Sequence, residues 1–373
     1  MKIVHVVRQF YPSMGGIETA VAALCRRLQE RGHECEVVTL ARLWNDPARL
    51  PSRDVVDGVR VDRIPFVGGR RYFLAPGVLR FALGPAVIHI HAIDFFADFL
   101  AATRWRHRTP FVVSTHGGIF HTRWAMPVKR VYFQTVTRLA LARAARVICN
   151  SASDDRLFAP IVPAWKRVTI SNGVDDGFLQ VRKSIDPGLM VMVGRIAAHK
   201  GIDRAIDLLP HIRRRVPAAR LLVIGPDWEG LQAGLQSRAA ALGVGGAVAF
   251  AGALPPEVLR QHLSRAHIVL AASAFEGFGI AVVEAMASGT LVVANDIDAH
   301  RELIRPGLDG ILLPFGDEAQ AVDGVVRALR LPLDGAAAIG ARAREAASRF
   351  TWGRVADQVE SVYREALAVE NRH

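Results

Sequence analysis

The sequence predicts an α/β protein of two doubly wound, parallel-sheet domains. Short, near-continuous apolar runs alternate with segments whose apolar residues recur at helical spacing. That is the pattern of strands covered on both faces by helices. The alternation runs through the first half and restarts near Leu189. A length of 373 residues also fits two domains at ~100–200 residues each.

The first strand is Lys2–Val7. Gly15 and Gly16 follow in a loop, and Ile17, Val21, Leu24 and Leu28 share one face of a helix from about Ile17 to Arg31. Gly32 and His33 end it before a strand at Glu34–Leu40. Further strands are predicted at Val87–His91, Phe111–Ser114 and Arg146–Cys149. The second half opens with a loop at Asn172-Gly173-Val174-Asp175 and a linker near 176–188. Strand Leu189–Val193, helix Gly201–Arg215, and strands Arg220–Ile224 and Ala247–Ala251 come next. Helix Pro256–Ala266, strand Ile268–Ala271, helix Ile280–Ser288 and strand Leu291–Ala294 complete the expected core. Such folds bind ligands beyond the carboxyl ends of their strands, so a cleft between two facing domains is the expected site.

A hydrophobic fraction of 51% and a charged fraction of 22% are globular values and exclude a disordered chain. The three cysteines, Cys25, Cys35 and Cys149, are scattered. They predict reduced cytosolic thiols rather than a disulfide framework or a Cys-x-x-Cys metal site. The N-terminus leads directly into a strand with no signal-peptide pattern. No uncharged apolar run reaches the ~18 residues of a membrane span.

The net charge is +12, and +10 of it falls in residues 64–153, while residues 154–373 are balanced. The basicity is therefore local. Within Arg123–Arg146, the bases Arg123, Lys129, Arg130 and Arg138 interleave with Trp124, Val128, Val131 and Leu139. The stretch reads as a basic amphipathic helix that lies on an anionic membrane, or as an ordinary surface helix with an apolar core face. No recognition motif accompanies the charge, so nucleic acid is not the expected partner.

Three motifs carry chemistry. Gly15-Gly16 opens a helix, where backbone N–H groups and the helix dipole favour an anion. It is not G-x-G-x-x-G, and the chain holds no Walker loop, which counts against nicotinamide and P-loop chemistry. In Val193-Gly194-Arg195-Ile196-Ala197-Ala198-His199-Lys200-Gly201, a strand ends in two cations before a helix. That arrangement suits a diphosphate, because charge-assisted bonds are the strong ones. In Phe275-Glu276-Gly277-Phe278-Gly279-Ile280, Glu276 precedes a glycine loop, and Glu284 lies in the helix beyond. If fully helical, that separation spans ~12 Å, too far for one glycosidase-type acid/base pair. Two separate duties toward the hydroxyls of one ligand fit better, with N–H groups along Phe278, Gly279 and Ile280 between them.

Read together, these segments resemble a GT-B glycosyltransferase of family 4, and the similarity covers nearly the whole chain. The resemblance implies two Rossmann-like domains. Residues 1–178 would bind the acceptor, residues 179–353 would bind a nucleotide sugar, and a C-terminal helix at about 354–373 would pack back on the first. It implies retaining transfer without metal or other cofactor. Gly15 and Gly16 would lie near the donor phosphates, Arg195 and Lys200 on the diphosphate, Glu276 on the donor sugar and Glu284 on the ribose. His116 matches the family's sugar-contacting histidine. Ser151, in Cys149-Asn150-Ser151, matches a position important in closer relatives.

Three further segments narrow the resemblance. They are Val6-Val7-Arg8-Gln9-Phe10-Tyr11-Pro12-Ser13, His91-Ala92-Ile93-Asp94-Phe95-Phe96 and Val113 through Thr122. They look like the GDP-mannose-dependent enzymes that add an α-1,3-mannose to cellobiosyl-diphosphopolyprenol in xanthan- and acetan-type exopolysaccharide synthesis. The implied partners are GDP-mannose, a polyprenyl-diphosphate-linked disaccharide and an anionic membrane. The implied location is cytoplasmic, peripheral on the inner face of the cell membrane. Another family 4 transferase, with a different donor or acceptor, and a GT-B-fold sugar-nucleotide epimerase are the alternatives.

Two signals compete. His89 and His91 share a strand face near Asp94, but the sequence offers no third well-placed ligand, so they read as strand-end polar residues lining a cleft. Asp296-Ile297-Asp298 matches the D-x-D of metal-dependent transferases. It follows a late strand of a GT-B-like chain, which makes chance the better account.

Overall fold

Apolar residues alternate along β1 (Lys2–Val7), and the two sets reach different cores. Ile3 and Val7 pack with Val21, Leu24 and Leu28 of α1 (Gly16–Glu30), while Val4 and Val6 join the opposite cluster around Ile88, Ile90 and Phe96. Both faces are covered, so the strand reads as a continuous apolar run. The structure is a computed structural model and describes residues 1–370 except 14, 45, 71 and 118–125. Residues Met1–Gly173 and Trp352–His373 form unit 1, and Val174–Thr351 form unit 2.

Unit 1 holds an eight-stranded sheet. Its other strands are β2 (Glu34–Leu40), β3 (Arg53–Val56), β4 (Val59–Ile64), β5 (Val87–His91), β6 (Phe111–Ser114), β7 (Arg146–Cys149) and β8 (Arg167–Thr169). The order is β8-β7-β6-β5-β1-β2-β4-β3, and only β3 pairs antiparallel. The helices that matter below are α2 (Phe95–Ala102), α3 (Met126–Tyr132), α4 (Arg138–Arg143) and α5 (Ala152–Phe158). A π-helical turn, Phe133–Thr137, joins α3 to α4.

Unit 2 carries a six-stranded parallel sheet. Its strands are β9 (Leu189–Val193), β10 (Arg220–Ile224), β11 (Val248–Phe250), β12 (Ile268–Ala271), β13 (Leu291–Asn295) and β14 (Ile311–Leu313), in the order β11-β10-β9-β12-β13-β14. Helices α6 (Ile202–Arg215), α7 (Gln232–Ala241), α8 (Pro256–Arg265), α9 (Ile280–Ala287), α10 (Glu318–Arg330) and α11 (Leu333–Ala347) cover it. The last helix, α12 (Trp352–Glu370), returns to unit 1, where Val355, Val359 and Tyr363 pack with α1.

The segment expected to link the domains, 176–188, instead belongs to unit 2. Lys183 fastens it: its Nζ donates to Ala266 O at 3.1 Å and to Thr290 Oγ1 at 2.8 Å. Partners for a half-buried ammonium hold a segment that turn residues alone would leave loose. Hairpin β3-β4 escapes sequence reading because buried charges break its apolar pattern. Asp62 is buried and ion-paired to Arg53 and Arg60, and buried Arg63 pairs with Asp54 at 3.0 Å.

Candidate functional site

In unit 2 the polar groups gather where β9 and β12 end. Gly194 and Gly225 have φ of +135° and +148°, and a Cβ on Gly225 would stand 2.0 Å from Gly194 O. Only glycine permits that approach of two strand ends. The chain then carries Lys200 back over Gly194, and its Nζ donates to Glu276 Oε1 at 2.7 Å. Ser273 Oγ donates to the same oxygen at 2.7 Å. Neither bond uses Oε2. Burial alone would raise the Glu276 carboxyl, but the Lys200 charge and the two hydrogen bonds hold it below its ordinary range.

These residues, with Gly194, Arg195, Gly279 and Ala281, line a cavity of about 370 Å³ that opens to solvent. Arg195 is exposed, with its guanidinium 5.2 Å above the Trp228 ring. The expected pair of diphosphate cations is therefore split: Arg195 is available at the mouth, while Lys200 is engaged with Glu276. Glu284, half-buried in α9, is raised to about 7 by burial and by the nearby Asp175. Gly279 caps α9 at φ +97°, and Ile280 begins the helix. The Phe278 ring is buried against Phe350 with centroids 5.4 Å apart, so it is the backbone of Phe278 that can offer its N–H to a ligand.

Sequence reading missed Ser273 and Asn295. Asn295 Nδ2 donates to Ser273 O at 3.0 Å and so holds the loop that offers the Ser273 hydroxyl. Asp296 and Asp298 pair with Arg301, at 2.6 and 3.6 Å.

In unit 1 the equivalent edge is built around His116, which follows β6 at φ +45°. Its N–H donates to Asn150 Oδ1 at 2.9 Å, while Gly117 N–H and Thr115 Oγ1 donate to Asp154 Oδ2 at 3.0 and 2.7 Å. Ser151 caps α5 by accepting from Asp154 N–H at 3.1 Å. Its buried hydroxyl meets Asp154 N–H and Ser153 Oγ, while the neighbouring Asn150 is the residue that bonds His116. Asn150 and Asp154 went unnoticed in the sequence, although Ser151-x-x-Asp154 has the spacing of a capping pair.

His89 and His91 do line a cavity of unit 1, together with Ser114, His116 and Asn150. Both are buried, and β1 supplies the third nitrogen that the sequence lacked, His5. Nitrogens of His5, His89 and His91 lie within 4.8 Å of one another, and those of His5, Cys25 and Cys35 do likewise with the thiols. Two cysteines that look scattered in sequence thus meet in the core. Both nitrogens of His89 and of His91 are engaged by hydrogen bonds: His89 with Tyr363 OH at 2.7 Å and Ser114 Oγ at 2.8 Å, His91 with His5 and His116. The cluster is organised as a hydrogen-bonding network.

At the start of α1, Gly15 is the N-cap and Gly16 the first helical residue. A Cβ on Gly15 would stand 2.5 Å from Glu18 Oε2. This carboxylate, overlooked in the sequence, covers the amide end where an anion is expected. Arg130 and Arg138 are exposed and Lys129 is half-buried on the α3–α4 rod, and Arg123 lies outside the described residues. Val131 and Leu139 on that rod are 64% and 62% exposed, which leaves an apolar strip beside the bases.

Residues 14–178 match the family described as Glycosyltransferase Family 4, and residues 178–346 match Glycosyl transferases group 1. The chain is 37% identical to the GDP-mannose:cellobiosyl-diphosphopolyprenol alpha-mannosyltransferase of Xanthomonas oryzae pv. oryzae, covering 99% of this chain and 98% of that one. It belongs to glycosyltransferase family 4. The enzyme of that name from Komagataeibacter xylinus is 34% identical, with 98% of this family 4 chain and 94% of its relative covered. Among solved structures, sucrose-phosphate synthase from Thermosynechococcus elongatus superposes with a TM-score of 0.78 at 20% identity, covering 99% of each chain. Anabaena HepE in complex with UDP-glucose gives 0.76 at 21% identity, covering 97% and 98%. These likenesses assign the two Rossmann-like sheets of this family 4 glycosyltransferase to the GT-B fold.

Proposed function

We propose that this glycosyltransferase moves mannose from GDP-mannose, with retention, to the cellobiose of a polyprenyl diphosphate. The product would be an α-1,3-linked unit of an exopolysaccharide repeat. The observation that carries the reading is the identity of 37% that runs the length of the chain to an enzyme of that name. The site supports it chemically. In the transition state the leaving diphosphate gains negative charge while the sugar becomes oxocarbenium-like. Arg195, the Lys200 ammonium and the N–H groups that open α9 oppose that negative charge as it develops. Glu276, fixed through Oε1, keeps Oε2 for hydroxyls of the donor sugar, and Glu284 serves the ribose. His116 orients the sugar from unit 1, and the departing phosphate takes the acceptor proton.

The surface of unit 1 supports a peripheral position on the cytoplasmic face of the membrane. Among the described residues no helix is long and apolar enough to cross a bilayer. Val128, Val131, Val136 and Leu139 are all exposed. The five-residue step from Val131 to Val136 is a little over one turn of the wider π segment, which keeps the four on one side. Arg130 and Arg138 add the attraction to anionic lipid.

The test is transfer of radiolabel from GDP-mannose to cellobiosyl-diphospholipid in anionic vesicles, against GDP-glucose, UDP-glucose and UDP-galactose. Label from GDP-mannose alone, released by an α-mannosidase, is the expected result. Equal use of a second donor, or an altered nucleotide sugar with no lipid product, would replace the reading.

A further inference from the structure

Three imidazoles of unit 1 are joined end to end. His116 Nε2 meets His91 Nδ1 at 3.2 Å, and His91 Nε2 meets His5 Nδ1 at 3.0 Å. In each contact one nitrogen donates and the other accepts, and a neutral ring has one N–H to give. Burial keeps the His91 and His116 rings neutral, with His91 well below its ordinary range and His116 down to about 4, helped by Arg8.

With one N–H on each ring, the two contacts have only two complete arrangements. If every N–H points toward His116, that ring ends the chain with Nδ1–H. If every N–H points inward, His5 ends it with Nε2–H in the core. His5 is fully buried, and its Nε2 has no hydrogen-bond partner. A stranded donor is the costlier end, because buried N–H groups without partners are rarer than under-satisfied acceptors. Cys35 is the group that can reverse the choice. Hydrogen bonding to Cys25, and then to the His5 ring, draws its thiol down against burial, and a thiolate would accept from a His5 Nε2–H. By distance and angle, however, His5 Nε2 has no hydrogen-bond partner, and that geometry decides the choice.

We infer that the ladder His5–His91–His116 points its protons outward, which makes His5 and His91 positioning residues that fix His116 as an Nδ1–H donor to a ligand oxygen. This rests on the reading of His116 as the group that meets the donor sugar. It adds which nitrogen carries the proton and what sets it.

Long-range ¹H–¹⁵N spectra of the histidine-labelled full chain test it, with His116→Gln assigning the signals. The expected wild-type pattern is a protonated Nδ1 and a bare Nε2 on His116, unchanged between about pH 5.5 and 8. His5→Phe removes the buried end and should leave His116 a mixture of tautomers, with turnover about tenfold lower. In a His116→Ala background the same change should cost nothing more, because His5 acts only through that ring. A wild-type His116 with Nε2–H, a ring that titrates near neutral pH, or losses that multiply in the double variant would overturn the ladder. The wild-type spectra need no substrate, and they need only the His116→Gln variant for assignment. The ladder is therefore decided even if mannose transfer proves wrong.

Discussion

Units 1 and 2 both bring polar side chains to the carboxyl ends of parallel strands, and they do so with opposite electrostatics. Unit 2 puts an ammonium, a guanidinium and a carboxylate around an open cavity. Unit 1 buries histidines that stay neutral and keeps its excess of bases on the α3–α4 surface. The contrast separates two kinds of work. Opposing the charge of a leaving diphosphate takes fixed ions. Holding a sugar in register takes directed hydrogen bonds, which neutral rings supply.

The largest expected effect breaks the charged half. Lys200→Ala removes the ammonium and leaves Glu276 with one donor to Oε1. Turnover should fall about 10²–10³-fold, the usual loss for one preorganised electrostatic group, while the melting temperature changes little. Wild-type turnover in this variant would remove the charge argument from unit 2. A loss of the same size from His116→Ala would mean that the two halves do not divide the work this way.

The next effect tests where unit 1 spends its charge. Changing Lys129, Arg130 and Arg138 together to Gln should weaken binding to anionic vesicles by about two orders of magnitude, at ~1 kcal/mol for each base near the surface. The wild-type affinity should also fall steeply with salt. Co-sedimentation at two ionic strengths reads both. Binding that ignores the triple change would leave the apolar strip alone as the anchor. Smaller again is Ser273→Ala, which takes away only the neutral donor to Glu276 Oε1. About tenfold in turnover is expected, the scale of one hydrogen bond to a charged group.

How far these sites were legible follows from how local each signal is. The strands of both sheets read well because burial on both faces leaves unbroken apolar runs. Glu276, Lys200 and Arg195 were legible because each lies in a loop that leads from a strand end to the next helix. Phe278 was legible as an N–H of the glycine loop, whereas the packing of its ring on Phe350 was not, since the two lie far apart in the chain. Ser273, Asn295, Asn150 and Asp154 act through loops that only the folded chain brings together. His5 and His91 are 86 positions apart. Their contact depends on β1 and β5 lying side by side, and no local pattern encodes that pairing.

Glu284 gives the smallest effect and sharpens the comparison on the side of unit 2, where a carboxyl is not held ionised. Its folded value is raised to about 7, first by burial and then by Asp175, against ~4.3 in an unfolded chain. The folded state therefore binds the extra proton between those values. The stabilisation is complete below about pH 4.3 and is lost as pH rises through about 7. Glu284→Gln keeps the shape and cannot ionise. At pH 8 the variant should melt a few degrees above the wild type, and the difference should shrink as pH falls and vanish below about pH 4.3. Equal melting at every pH would mean that Glu284 is ionised in the fold like Glu276, and the contrast between the two carboxylates of this site would disappear.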